Sequence, residues 1–175
     1  MTPIDLRANC ADCAALCCVL LPFDQSDAFA FSKEGGKPCR NLASDNRCTI
    51  HQTLDAEGFK GCKAFNCYGA GQRVTQQVFA GKSWRDDPDL TRPMEEAFRA
   101  MRKLQESVVL LQEAGRWPLS ASLEQERQDL IALLDPDRRW TVATLAELEA
   151  GPKLNMVRDY VASLGLAPVF RSRHP

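Results

Sequence analysis

The chain has 175 residues and a formal net charge of −1 at pH 7, long enough for one compact unit with a core of its own. Charge is balanced on both sides of Leu90, with 10 basic and 11 acidic residues up to it and 12 of each after it, which excludes the one-signed field of a nucleic-acid or membrane-surface binder. The longest apolar run, Leu16 to Phe23, is interrupted by two cysteines and falls well short of the roughly 20 residues that span a bilayer.

Met1 to Arg7 lacks the basic and then apolar pattern of a secretory leader. The expected location is therefore cytoplasmic, where thiols stay reduced and clustered cysteines are more often metal ligands than disulfides. All eight cysteines lie between Cys10 and Cys67, together with His51, and none follows. This asymmetry predicts a cysteine-rich metal-binding segment over residues 1–90 and a helical segment over 91–175, packed as one unit. The expected fold class is mainly α, with a small irregular cysteine segment on a helical bundle.

In chain order, the first feature is Cys10-x2-Cys13-x3-Cys17-Cys18. Two intervening residues let a tight turn aim Cys10 and Cys13 at one ion, and Cys13 would stack on Cys17 at i,i+4 if that stretch were helical. On a helix Cys18 points about 100° away from Cys17, so it is a candidate for a second centre. Cys39, then Cys48-Thr-Ile-His51, then Cys62 and Cys67 add four more thiols and an imidazole. The candidate metal ligands are thus Cys10, Cys13, Cys17, Cys18, Cys39, Cys48, Cys62 and Cys67. Tetrahedral zinc takes four such donors and a [4Fe–4S] cube takes four thiolates, so eight fill two sites or over-fill one. His51 is read first as a packing or hydrogen-bonding group and second as a ligand, and His174 as a solvated tail residue. Lys37, Arg40, Arg47, Lys60 and Lys63 interleave with the sulfurs, where cations would offset thiolate charge.

Taken together, the N-terminal cysteine run, Cys39-Arg-Asn-Leu42, Cys48-Thr-Ile-His51 and Cys62-Lys-Ala-Phe65 resemble the bacterial CxxCxxCC family, a zinc- or iron-chelating domain. The resemblance covers about residues 10 to 67. This chain has one extra residue before Cys17-Cys18, histidine where the family usually has tyrosine, and the added Cys67. The resemblance implies metal chelation, and a related flagellin lysine methylase with the same cysteine signature implies peptide modification as an alternative. The stretch Cys67-Tyr-Gly-Ala-Gly-Gln72 also resembles domains that precede pentapeptide repeats in some bacterial proteins, although this chain has no such repeats.

Beyond the cysteines, Gly69-Ala-Gly71 reads as a tight turn before a short helix from about Gln72 to Phe79 that pairs Val74 with Val78. Trp84 to Asp89 reads as a loop leading into the next helix. Met94, Phe98, Met101, Leu104, Val108 and Leu111 step by four, three, three, four and three, which predicts an amphipathic helix from Pro93 to Gly115. A second helix is expected from about Leu119 to Leu134, with Leu119, Leu123, Leu130, Leu133 and Leu134 inward and Asp135-Pro136 as its stop. A third opens at a capping box formed by Thr144 and Glu147. In the last helix Pro152 lies at the first turn, Leu154, Val157, Val161 and Leu164 share a face, and Gly165 follows the end.

Three functional readings follow. The first is a metal-binding protein holding zinc or an iron–sulfur centre, in one or two sites. The second is an iron-dependent redox or group-transfer enzyme with an open coordination position. The third is an adaptor that uses a helical face to bind a protein partner. The catalytic and cofactor-binding residues of the second are not specified by any motif: no Ser-His-Asp order, carboxylate pair or dinucleotide fingerprint is present.

Overall fold

The computed structural model describes residues 6–165, so His174 lies outside the described residues. Seven α-helices and no strands occur among them: α1 (Leu16–Leu20), α2 (Lys60–Ala64), α3 (Ala70–Arg73), α4 (Thr91–Ala114), α5 (Ala121–Leu134), α6 (Val142–Ala150) and α7 (Lys153–Ser163). The fold is mainly α.

α4 is the central element, and α1, α3, α5, α6 and α7 all pack on it. Its apolar positions recur at helical spacing, and Met94, Phe98, Met101, Leu104, Val108 and Leu111 are all buried as the periodicity predicts. The helix begins at Thr91, two residues before Pro93. A proline in the first turn costs nothing there, because its missing N–H would have no intrahelical acceptor.

α5 is shorter at its start than expected, because Ser120 caps it by accepting from the Leu123 N–H. It ends at Asp135, whose φ of 44° breaks the helix just before Pro136. Leu130 and Leu134 are buried, but Leu133 is 36% exposed, correcting the expectation that it faces inward. Leu130 and Leu134 are four apart and share a face, whereas the 100° step from Leu134 turns Leu133 away.

α6 likewise opens three residues earlier than expected. Thr141 accepts from the Thr144 N–H while the Thr144 hydroxyl accepts from the Thr141 N–H, a reciprocal cap that uses Thr144 as its inner rather than outer member. α7 follows the expected pattern, with Pro152 preceding it, Leu154, Val157 and Val161 buried, and Gly165 at a φ of +66° just beyond.

Residues 6–90 use short elements. A 3-10 turn spans Cys10–Asp12, and α3 continues into a wider π turn at Val74–Val78. Three isolated antiparallel bridges, Phe23 with Lys33, Ser26 with Phe29 and Leu42 with Cys48, hold the intervening loops. Two kinds of packing compensate for the missing regular structure. Phe23 stacks on Phe29 at 4.4 Å between ring centres, and Phe31 meets Phe59 edge-on at 4.9 Å, a satellite aromatic core. On the other side, Ala14, Leu16, Val19, Leu20, Ala70 and Val74 belong to the same apolar cluster as the α4 stripe. The loop ahead of α4 adds a polar anchor, the Trp84 indole N–H donating to the Ala14 carbonyl at 2.7 Å.

Candidate metal centre

The backbone between Cys10 and Cys18 explains how the first four thiols are presented. Asn9 caps the 3-10 turn by accepting from the Ala11 N–H. The chain then breaks at Ala15, which takes a left-handed φ of 56°, before α1 begins at Leu16. Cys13 and Cys17 therefore do not stack along one helix, and the i,i+4 expectation is corrected by that break. Cys17 and Cys18 are both on α1, with sulfurs 3.9 Å apart.

Tertiary contacts deliver the others. The Cys39 N–H donates to the Cys18 carbonyl at 3.0 Å, fixing that loop against α1. Cys48 faces Leu42 across a bridge, and Cys62 lies on α2. Cys67 precedes α3, its carbonyl accepting from the Ala70 N–H at 2.9 Å. Two glycines make room: a Cβ at Gly71 would stand 2.5 Å from the Cys13 sulfur, and one at Gly61, beside Cys62, would enter the Phe29 ring.

All eight cysteines are free thiols. Their mutual electrostatics sort them into two neighbourhoods. Burial pushes the Cys13 thiol up to about 11, helped by Cys67 and Cys10. Cys10 is raised by burial and then by Cys67, Cys18 and Cys48. Cys17 is raised by its hydrogen bond with Cys18 and by burial, with Cys13 and Cys67 adding to it. In the second neighbourhood, burial pushes Cys62 up to about 11, reinforced by Cys18, Cys39 and Cys48. Burial also raises Cys48, with Cys18 and Cys39 contributing. Cys18 moves the other way, held down by the hydrogen bond from Cys17 and by Lys33. The two neighbourhoods overlap, because Cys18 and Cys48 also act on Cys10 and the Cys17 and Cys18 thiols touch. Among the described residues, no three cysteine, histidine or carboxylate side chains are gathered as the ligand set of one metal ion. The thiols are neighbours rather than a closed shell.

The cation that matters most among them is Lys33, which sequence reasoning did not single out. It is 9% exposed, and its ammonium donates to the carbonyls of Val19 at 2.8 Å, Glu34 at 2.9 Å and Lys37 at 2.9 Å. Burial pulls its pKa below the ordinary lysine value, and Cys39, Cys18, Cys17 and Cys62 act against that shift. Other cations are engaged elsewhere: Lys37 pairs with Glu34 at the surface, Lys63 with Asp55, and Arg40 lies 3.5 Å from the centre of the Phe31 ring. His51 is exposed, not packed, and lines a cavity of about 500 Å³ with Cys10 and Cys48.

No helix among the described residues is long and apolar enough to cross a membrane. The stripes of α4 and α7 are consumed by the core, and Trp117, Leu133 and Met156 are the large apolar side chains left exposed among the described residues.

Comparison with known proteins gives one informative match. The chain is 36% identical over 171 residues to the uncharacterized protein YybG of Bacillus subtilis (strain 168), an alignment covering 98% of the chain and 61% of YybG. The chain therefore spans less than two thirds of the length of this curated relative. No protein-family model matches it, and no solved structure does.

Proposed function

We propose that this protein is a metal-binding protein, holding zinc or an iron–sulfur centre through its clustered cysteines in one or two sites. The observation that carries the reading is Lys33. A buried ammonium is costly unless opposite charge lies close, and the three carbonyls that solvate this one supply dipoles but no net charge. Its acidic neighbours are cysteines; the hydrogen bond from Cys17 and the Lys33 charge hold Cys18 down to about 7, while burial holds Cys62 up to about 11, so the free thiols supply only part of a counter-charge. Coordinated thiols are deprotonated outright, so a loaded centre would give Lys33 the partner its position calls for.

The donor chemistry fits this reading. Eight free thiols are twice the four that either tetrahedral zinc or a cubane cluster takes. The 3.9 Å between the Cys17 and Cys18 sulfurs is close to the edge of a thiolate tetrahedron around zinc, about 3.8 Å for bonds of 2.3 Å. Closing either set requires side-chain rotation, and a single rotamer change moves a sulfur by roughly 3 Å. The resemblance to the CxxCxxCC family points the same way.

Anaerobic purification followed by elemental analysis, labile-sulfide assay and a visible spectrum tests the proposal. Stoichiometric zinc, or iron with sulfide and a brown chromophore, is the expected result. Metal-free protein whose melting temperature responds to neither chelator nor added metal would refute it. A second reading, an iron-dependent redox or group-transfer enzyme, draws support from the cavity beside Cys10 and Cys48, since such chemistry needs a substrate cleft next to its centre.

A further inference from the structure

The cavity at Cys10 and Cys48 has a chemistry of its own. Its walls are Cys10, Ala11, Arg47, Cys48, Thr49, His51, Gln52 and Thr53, and its volume is about 500 Å³, within the range of small-molecule sites. No carboxylate is among the walls. The two hydroxyls are already committed: Thr49 donates to the Asn41 carbonyl at 3.0 Å and Thr53 to the Ile50 carbonyl at 3.4 Å. The donors left for a ligand are the Arg47 guanidinium, the His51 imidazole and the Gln52 amide.

Arg47 stands apart from the nearby arginines. Arg40 rests on Phe31, and Arg85 donates to the Asn46 side chain and the Ala43 carbonyl. The Arg47 guanidinium makes no hydrogen bond or ion pair among the described residues, yet its backbone is fixed on both sides. Its N–H donates to the Asp45 carboxylate at 3.0 Å and its carbonyl accepts from the Ala43 N–H at 2.8 Å. The next residue is locked by the Leu42–Cys48 bridge. Arg47, His51 and Gln52 are all exposed, and a planar guanidinium on a fixed backbone, lining an open cleft with no carboxylate among its walls, suits a carboxylate or phosphate group.

We propose that this cleft binds a small anionic molecule. Arg47, with His51 and Gln52, holds its carboxylate or phosphate group, and the rest of the molecule lies against the Cys10 and Cys48 sulfurs. The cleft shares Cys10 and Cys48 with the candidate metal ligands, but the head-group contacts of Arg47 and Gln52 do not rest on the metal-binding proposal.

The test is a titration of the full, isotopically labelled chain with inorganic phosphate and, separately, with citrate, followed by amide and arginine side-chain NMR. Saturable shifts confined to residues 10–11 and 47–53 are expected, and the probe that produces them identifies the preferred head group. Arg47→Gln should weaken binding by about tenfold or more, as loss of a charge-assisted contact does. Arg47→Lys should retain part of it, and Arg116→Gln, a surface change on an arginine paired with Glu113, should leave it unchanged. The absence of saturable shifts with both probes would overturn the inference. So would an Arg47→Gln affinity within about twofold of the parent, in a variant whose spectrum shows it folded. Metal content measured on the same samples keeps the two proposals apart. Saturable anion binding decides the cleft whatever the metal content, and metal content with the thermal response to chelator decides the metal centre.

Discussion

The ammonium of Lys33 donates to the Val19 carbonyl at 2.8 Å, placing a fixed positive charge at the C-terminal end of the short helix that carries Cys17 and Cys18. That end of a helix exposes unsatisfied carbonyls and favours cations. The bridge between Phe23 and Lys33 brings the lysine there from a separate loop.

Lys33→Met removes the donor from three carbonyls and the charge from the thiol cluster. We expect a loss of about 2 kcal/mol in urea denaturation, in the range for a buried hydrogen-bonded group left without its partner, and weaker retention of metal under chelator competition. Stability and metal retention equal to the parent would show that Lys33 has neither role.

Gly71→Ala separates packing from propensity. In a bare helix the change would stabilise by up to about 1 kcal/mol, but here the new Cβ meets the Cys13 sulfur at 2.5 Å. We expect a net loss of about 1–3 kcal/mol, typical of overpacking, together with faster alkylation of Cys13. A stabilised variant with unchanged thiol reactivity would mean the approach of Cys13 to α3 is not rigid.

The raised thiols predict an alkaline limit for the metal-free protein. Cys13 and Cys62 are held up to about 11 by burial, above the ordinary thiol value. Between pH 9 and 11 the unfolded chain ionises these groups first and binds fewer protons than the folded one, so stability is full below 9 and falls as pH climbs. Thermal melts across that window should show the decline. Metal binding displaces the same protons, so apparent metal affinity should rise with pH below 9, read by competition with a chelator.

Gln105 offers a test of the bundle alone. Its side chain is fully buried in α4, and neither the amide nitrogen nor the oxygen has a hydrogen-bond partner among the described residues. Gln105→Met keeps the length and removes the polar atoms, so a gain of about 1–2 kcal/mol in chemical denaturation is expected. A loss would reveal that the amide is satisfied in solution.

The helical half was the more legible because its signals are local. The spacing from Met94 to Leu111 and the Pro152–Gly165 bracket depend on residues within a turn or two. The sequence is ambiguous where neighbouring residues offer equal alternatives: Thr141 and Thr144 both have the chemistry of a cap, and a leucine-rich helix does not declare which way Leu133 faces. The cysteine half was legible in composition but not in arrangement. Nothing near Lys33 in sequence distinguishes it from Lys37, because its burial depends on α1 through the Val19 carbonyl and on the bridge to Phe23. The arrangement of the thiols depends equally on long-range approaches, such as Cys13 to Gly71, that spacing alone does not encode.

Leu16, Val19 and Leu20 are rooted in the same interior as Met101 and Leu104. An engineer transplanting the sulfur-rich loops into another host would carry along a wet, oily underside. Only a graft that also brings the 24-residue rod from Thr91 to Ala114 would keep that underside dry.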